Sequence, residues 1–141
     1  MNNKNINRIL HTIIIGVVLF SSYIYSQDCD EGFTYYDTLP GNVNNINNDS
    51  NCFSDDDLIV LDNIISINNL TDVYNFPLEV GTQTWVTGRL VVLVATYIQG
   101  GSNGITQKIF QLPDNIDQLS ELTTLYLEKQ DLTELPESFT F

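Results

Sequence analysis

The apolar positions change their spacing along the chain, and each spacing predicts a different element. Near the N-terminus a dense apolar run covers residues 13–20. Farther along, apolar residues recur at the spacing of one helix face, at Leu58, Leu61, Ile64 and Ile65. A run of β-branched and apolar residues then follows at 88–98, which is typical of a strand.

The helix is predicted to begin after Ser54 and to run to about Asn69. The Ser54 hydroxyl can cap a free backbone N–H, and Asp55, Asp56 and Asp57 favour the positive end of the helix dipole. A Ca²⁺ site is the alternative for these three aspartates. The spacing of a calcium-binding EF-hand loop, with its glycine and bidentate glutamate, is absent, so the helix start is preferred.

The N-terminal segment has the layout of a signal peptide. Lys4 and Arg8 precede the apolar stretch, whose dense part is too short to cross about 30 Å of hydrocarbon. Ser26 is a small residue suited to cleavage, so residues 1–26 are predicted to be removed and Gln27 to begin the mature chain. An uncleaved membrane anchor is the alternative.

The charge of the chain excludes several classes of partner and chemistry. Five Lys and Arg face 18 Asp and Glu, a net charge of −13, whereas nucleic-acid binding and docking on anionic lipid need basic surfaces. The one histidine, His11, lies in the signal peptide, which excludes histidine-based catalysis and histidine-ligated zinc from the mature chain. We therefore expect no enzyme, no cofactor, no metal site, no nucleic-acid partner and, after signal cleavage, no membrane association.

Export would place the two cysteines of the chain in an oxidising compartment, where disulfides form. Cys29 and Cys52 are the only cysteines in the chain, and in an oxidising compartment they most simply form one disulfide. Around them, residues 27–54 are rich in Gly, Asn and Asp and are expected to be irregular. Two free catalytic thiols are the alternative, but no histidine or basic neighbour is available to activate them.

The C-terminal third contains a repeated pattern. Leu112-Pro113 recurs as Leu135-Pro136, 23 residues later. Between the two lie further leucines at regular spacing, namely Leu119, Leu122, Leu125, Leu127 and Leu132. On a short strand, alternation directs Leu125 and Leu127 inward and Tyr126 outward, and we expect the other leucines from Leu122 to Leu135 to point inward as well. An amphipathic helix over 119–135 is the alternative.

This pattern resembles the leucine-rich repeat family, in its Leu-Pro-containing class of roughly 23 residues. The resemblance implies an α/β repeat fold, in which an N-terminal cap with one helix leads into short parallel strands of a leucine-rich repeat solenoid. Residues 27–88 would be the cap, with the disulfide and the helix, and residues 89–141 the first repeats of a longer protein, truncated here. Gln130 departs from the family, which usually has Asn in the turn after the strand.

The resemblance also implies a function. It indicates an exported protein, secreted or held at the cell surface, that binds a protein or glycan ligand on its strand face. The predicted binding residues on that face are Thr124, Tyr126, Glu128 and Lys129. Tyr126 is the main candidate, because a half-exposed tyrosine offers contact area at low entropic cost. The alternative is a structural or adhesive surface module without a discrete ligand.

Overall fold

The computed structural model describes residues 29–99 and 104–139. The predicted signal peptide, 1–26, lies outside the described residues. The elements, in chain order, are β1 (Phe33–Tyr35), β2 (Val43–Ile46), β3 (Cys52–Ser54), α1 (Asp55–Ile67), β4 (Thr82–Val86), β5 (Arg89–Val94) and β6 (Thr124–Tyr126). Two short 3₁₀ segments, Pro77–Glu79 and Ile116–Gln118, lie in the connections.

The strands form two sheets. In the smaller sheet, β1 pairs with β3 in antiparallel orientation. The larger sheet has the order β2-β4-β5-β6, in which β2 and β6 are the two edges. Its central pair, β4 and β5, is antiparallel, whereas each edge strand is parallel to its neighbour.

The predicted fold class, a leucine-rich repeat solenoid, is wrong for the described residues. A solenoid stacks equivalent units, whereas the larger sheet is mixed, and only two of its described strands, β5 and β6, come from the predicted repeats at 89–141. The reason lies in the tight turn at Thr87 and Gly88, whose φ values are 50° and 81°. Two positive φ values in a two-residue turn reverse the chain into a hairpin, so β4 pairs antiparallel with β5. This hairpin spans the predicted domain boundary between 88 and 89.

Helix α1 confirms the predicted helix, with an observed end two residues before Asn69. The four residues predicted to share its buried face are all buried, namely Leu58, Leu61, Ile64 and Ile65. The Ser54 side chain makes no capping hydrogen bond, so the expected cap is wrong in its detail. Ser54 is itself buried against the hairpin, where its backbone N–H donates to the Gly88 carbonyl at 2.8 Å.

One cluster of buried residues joins α1, β3, β4 and β5. Its centre is an edge-to-face contact between Phe53 and Trp85, whose ring centroids are 4.9 Å apart. The Trp85 indole N–H donates to the Gln83 carboxamide at 2.8 Å, and that carboxamide donates in turn to the carbonyls of Pro77 and Val80. Because each buried polar group has a partner, the indole and the amide are buried without the cost of an unmade hydrogen bond.

The segment predicted to be irregular, 27–54, contains three strands, so that prediction is wrong. Its asparagines satisfy the backbone: the Asn42 amide donates to the carbonyls of Leu78 and Gly81, and the Asn48 amide donates to the carbonyl of Cys52. The predicted disulfide between Cys29 and Cys52 is confirmed, with the sulfurs 2.00 Å apart. It ties the first described residue to β3.

Candidate functional site

The larger sheet has one buried face and one open face. Along β4 and β5, Gln83, Trp85, Leu90 and Leu93 are buried in the core. Because side chains alternate across a strand, their neighbours lie on the opposite side. We call this side the outer face, and its residues are Asn44, Ile46, Thr82, Thr84, Val86, Val92, Val94, Thr124 and Tyr126, all partly or largely exposed.

The register of the strands places these side chains in rows across the outer face. One row runs Asn44, Thr84, Val92 and Thr124. The next row runs Thr82, Val94 and Tyr126. Valines therefore lie between hydroxyl-bearing residues, which gives a half-apolar surface with short polar groups.

The predicted binding residues separate into two groups. Thr124 and Tyr126 lie on the outer face, and Tyr126 is 49% exposed, as the alternation predicts. Glu128 and Lys129 are exposed but follow the end of β6, in a turn where Lys129 has a φ of 61°. The structure thus brings the first two into one surface with β4 and β5 and leaves the other two beside it.

The leucines around β6 pack less tightly than the centre of the core. Leu122, Leu125, Leu127 and Leu132 are partly buried against the core, as expected. Leu135 is 54% exposed, so the prediction that it points inward is wrong. Its segment forms neither a helix nor a strand, and the regular rotation or alternation that would turn the side chain toward the core is therefore missing.

Gln130 links three parts of the chain through its side chain. Its carboxamide oxygen accepts a hydrogen bond from the Ile109 N–H at 2.8 Å, and its nitrogen donates to the Ala95 carbonyl. The residue that departs from the family pattern therefore still bonds to neighbouring backbone. These bonds fix the turn after β6 to the end of β5.

A partly buried ion pair that was not predicted from the sequence joins the hairpin to α1. The Asp57 side chain is fully buried and accepts hydrogen bonds from the Arg89 guanidinium and the Leu90 N–H, at 2.8–2.9 Å. The hydrogen bond to Asp57 is the main cause that raises the pKa of Arg89 above its ordinary value. Arg89 also donates to the Ser120 hydroxyl at 3.0 Å. One feature of the sequence could have indicated this ion pair. Arg89 is the single arginine of the predicted mature chain, and it lies at the start of the strongest predicted strand.

An apolar cleft lies at the edge of β6. It has a volume of about 260 Å³ and is lined by Leu122, Thr123, Thr124, Leu125, Leu127 and Phe139. A second hollow of about 200 Å³ shares Leu122 and Phe139 with it and extends toward the 3₁₀ segment at Ile116–Gln118. We call the two together the end cleft.

Two structural features, a cluster of potential metal ligands and a membrane-spanning helix, are absent from the described residues. Within 29–99 and 104–139, no group of three or more His, Cys, Asp or Glu side chains lies close enough to hold a metal. Across the same residues, no helix is both long enough and apolar enough to span a membrane.

Comparisons of the chain with family models, with curated proteins and with solved structures found no match. Function is therefore argued from the surface itself, since a fold alone does not determine it.

Proposed function

We propose that the protein is an extracellular binding module that holds a polypeptide partner against its outer face. The observation that carries the proposal is the row of Thr82, Val94 and half-exposed Tyr126, continued by the row that contains Val92 and Thr124. A contiguous, partly apolar surface rimmed by polar residues is typical of an interaction site. Tyrosine is also among the residues enriched where binding energy concentrates.

The chemistry of the outer face favours a polypeptide over a glycan. Its apolar members are aliphatic, namely Ile46, Val86, Val92 and Val94, with Tyr126 as the one aromatic ring. Sugar hydroxyls placed against valines lose their hydrogen bonds to water without gaining others. Apolar side chains of a polypeptide gain from the same contact because both surfaces leave water.

The outer face favours binding over catalysis. Its hydroxyl, amide and aliphatic groups include no acid–base pair that could activate a nucleophile. The disulfide is compatible with an extracellular protein. Together with the predicted signal peptide it supports a location outside the cell or on its surface.

Two matched variants test the proposal. A partner is captured from the medium on the immobilised protein, identified by mass spectrometry, purified and titrated back. Tyr126→Ala is expected to weaken that binding at least tenfold and to change the free energy of unfolding within about 0.5 kcal/mol. Phe110→Ala removes an aromatic ring of similar exposure, 51% against 49%, away from the outer face and is expected to leave binding unchanged.

Two results would oppose the proposal. Equal losses in both variants would show that the outer face is not the site. Recovery of the protein's own chain alone, with no other partner, would favour a structural or adhesive module.

A further inference from the structure

We propose that the edge of β6 that has no neighbouring strand among the described residues, called here the free edge, accepts an extended, basic polypeptide segment as an additional strand of the larger sheet. This site lies at the edge of the sheet and is separate from the outer face. It shares with the proposed function a polypeptide as the class of partner.

The backbone at this edge has hydrogen-bonding groups to offer. The carbonyls of Tyr126 and Glu128 accept from the N–H groups of Ala95 and Tyr97, on the β5 side. In a parallel ladder alternate residues direct their N–H and C=O groups to the same neighbour. Leu125 and Leu127 therefore direct theirs to the opposite side, where β6 ends the described sheet. Such an edge is a template for strand addition.

The end cleft supplies the apolar part of the site. Leu122, Leu125, Leu127 and Phe139 are only partly buried, and they line a cleft directly beside these backbone groups. An added strand would place every second side chain over this cleft. Because β6 has three residues, few backbone hydrogen bonds are available and side-chain contacts must contribute much of the binding.

The negative charge of the C-terminal segment favours a basic peptide at this edge. Seven acidic residues of the C-terminal segment are exposed, and the six besides Asp131 are Asp114, Asp117, Glu121, Glu128, Glu134 and Glu137. The ion pairs found among the described residues, Arg89 with Asp57 and Lys108 with Asp131, involve none of the six. Within 112–139 their one basic counterpart is Lys129. A segment that carries Lys or Arg beside its apolar residues is therefore attracted to this edge.

The same charge argues against a second copy of this chain as the occupant. Pairing two β6 edges would bring the two sets of six acidic residues together, and like charges facing each other oppose association. The net charge of −13 adds to this repulsion.

The test uses the secreted full chain and synthetic peptides. The probe is an acetylated and amidated peptide of sequence Lys-Val-Lys-Leu-Lys-Val-Lys, labelled for fluorescence polarisation. Its acidic counterpart replaces each Lys by Glu. Two further versions carry N-methyl groups on alternate amides, so that each blocks a different edge of the added strand.

We expect the basic peptide to bind at least tenfold more tightly than the acidic one. One N-methylated version is expected to lose binding and the other to keep it, because only one edge of the peptide pairs with β6. Amide exchange should slow at Leu125 and Leu127 when the basic peptide binds. The double variant Glu121→Gln with Glu128→Gln is expected to weaken binding at least threefold. The matched control, Asp30→Asn with Glu31→Gln directly after Cys29, should have no effect.

Several results would overturn the edge proposal. Equal binding of the acidic and basic peptides would remove the role of charge, and equal binding of both N-methylated versions would remove strand addition. Concentration-dependent dimerisation that protects Leu125 and Leu127 would identify a second copy as the occupant. A peptide whose binding depends on Tyr126 but leaves Leu125 exchange unchanged would occupy the outer face, which contradicts the edge proposal and supports the proposed function.

Discussion

Two neighbouring strands of the larger sheet, β5 and β6, differ in how completely their inward side chains are packed. Leu93 and Leu125 are directly paired across β5 and β6. Leu93 is fully buried, whereas Leu125 is only partly buried. Leu93 belongs to the buried cluster that joins α1, β3, β4 and β5, called here the closed part of the core. Around Leu125, the end cleft is open.

This difference indicates that the same residue type stabilises the fold on one strand and is available for contacts on the next. A leucine contributes its full transfer free energy only when layers of structure cover it from every side. β5 lies between two strands, whereas β6 has a neighbour on one side in the described sheet. The closed part around Leu93 therefore stabilises the fold, and the end cleft around Leu125 supplies the apolar contacts of the proposed edge site.

The largest expected effect comes from truncating the two paired leucines. Leu93→Ala should lower the free energy of unfolding by about 3–5 kcal/mol, because it leaves a cavity in a closed core. Leu125→Ala should cost about 1–2 kcal/mol, since water already reaches part of its side chain. Urea denaturation of both variants gives the comparison. Equal costs would show that the end around β6 is as closed as the core.

Removal of the disulfide between Cys29 and Cys52 tests how much this bond stabilises the fold. Replacing Cys29 and Cys52 together by Ser should cost about 3 kcal/mol, because the bond restricts the unfolded chain over a separation of 23 residues. The unfolding midpoint in urea should shift accordingly, with the outer face still able to bind its partner. An unchanged free energy of unfolding in this variant would mean that the disulfide contributes little to the stability of the fold.

Breaking the ion pair between Asp57 and Arg89 should lower the free energy of unfolding slightly less than removing the disulfide. Asp57→Ala leaves the Leu90 N–H without its acceptor and should cost about 2–3 kcal/mol, less than for a fully buried pair because Arg89 reaches solvent. Asp56→Ala, one residue earlier and exposed, is the matched control and should cost less than about 1 kcal/mol. Thermal unfolding of both variants measures the difference, and similar costs would contradict the positioning role of Asp57.

The ionisation of Tyr36 at high pH should have the smallest effect on the free energy of unfolding. Burial, with smaller effects from Asp62 and Asp55, raises the pKa of Tyr36 above its ordinary value of 10.0. The folded state thus favours the protonated phenol, so this contribution is full below pH 10 and is lost as the pH rises through the folded-state pKa.

Tyr36→Phe keeps the ring against Phe53 and Phe76 but removes the ionisable group. Its free energy of unfolding should fall less than that of the native chain between pH 9 and 11.5, as measured by urea denaturation at each pH. Parallel curves for the two proteins would mean that Tyr36 ionises equally well in the folded and unfolded states.

The sequence predicted a helix or strand correctly where its apolar residues followed a single helical or strand periodicity. The helix followed from the spacing of Leu58, Leu61 and Ile64, and the strand β5 from its β-branched run. The outward position of Tyr126 followed from alternation with Leu125 and Leu127. These are local patterns, and local backbone geometry decides them.

The sequence failed where distant contacts decide the structure. The strands β1 to β3 are only three or four residues long, and Asn42, directly before β2, bonds to the backbone of Leu78, which is remote in sequence. The Thr87-Gly88 turn lacks the usual Asn-Gly signal of a two-residue hairpin, so the antiparallel pair was missed. Asp57 was assigned to the start of the helix because Arg89, its partner, lies 32 residues away.

Hydrogen exchange of single backbone amides, followed by NMR in the free protein, tests the contrast between the closed core and the open edge most directly. The amides of Leu90, which donates to Asp57, and of Ala95, which donates to Tyr126, should exchange only when the whole fold opens. Those of Leu125 and Leu127 should exchange at least a hundredfold faster, because they face the free edge. Equal protection of all four amides would contradict the account.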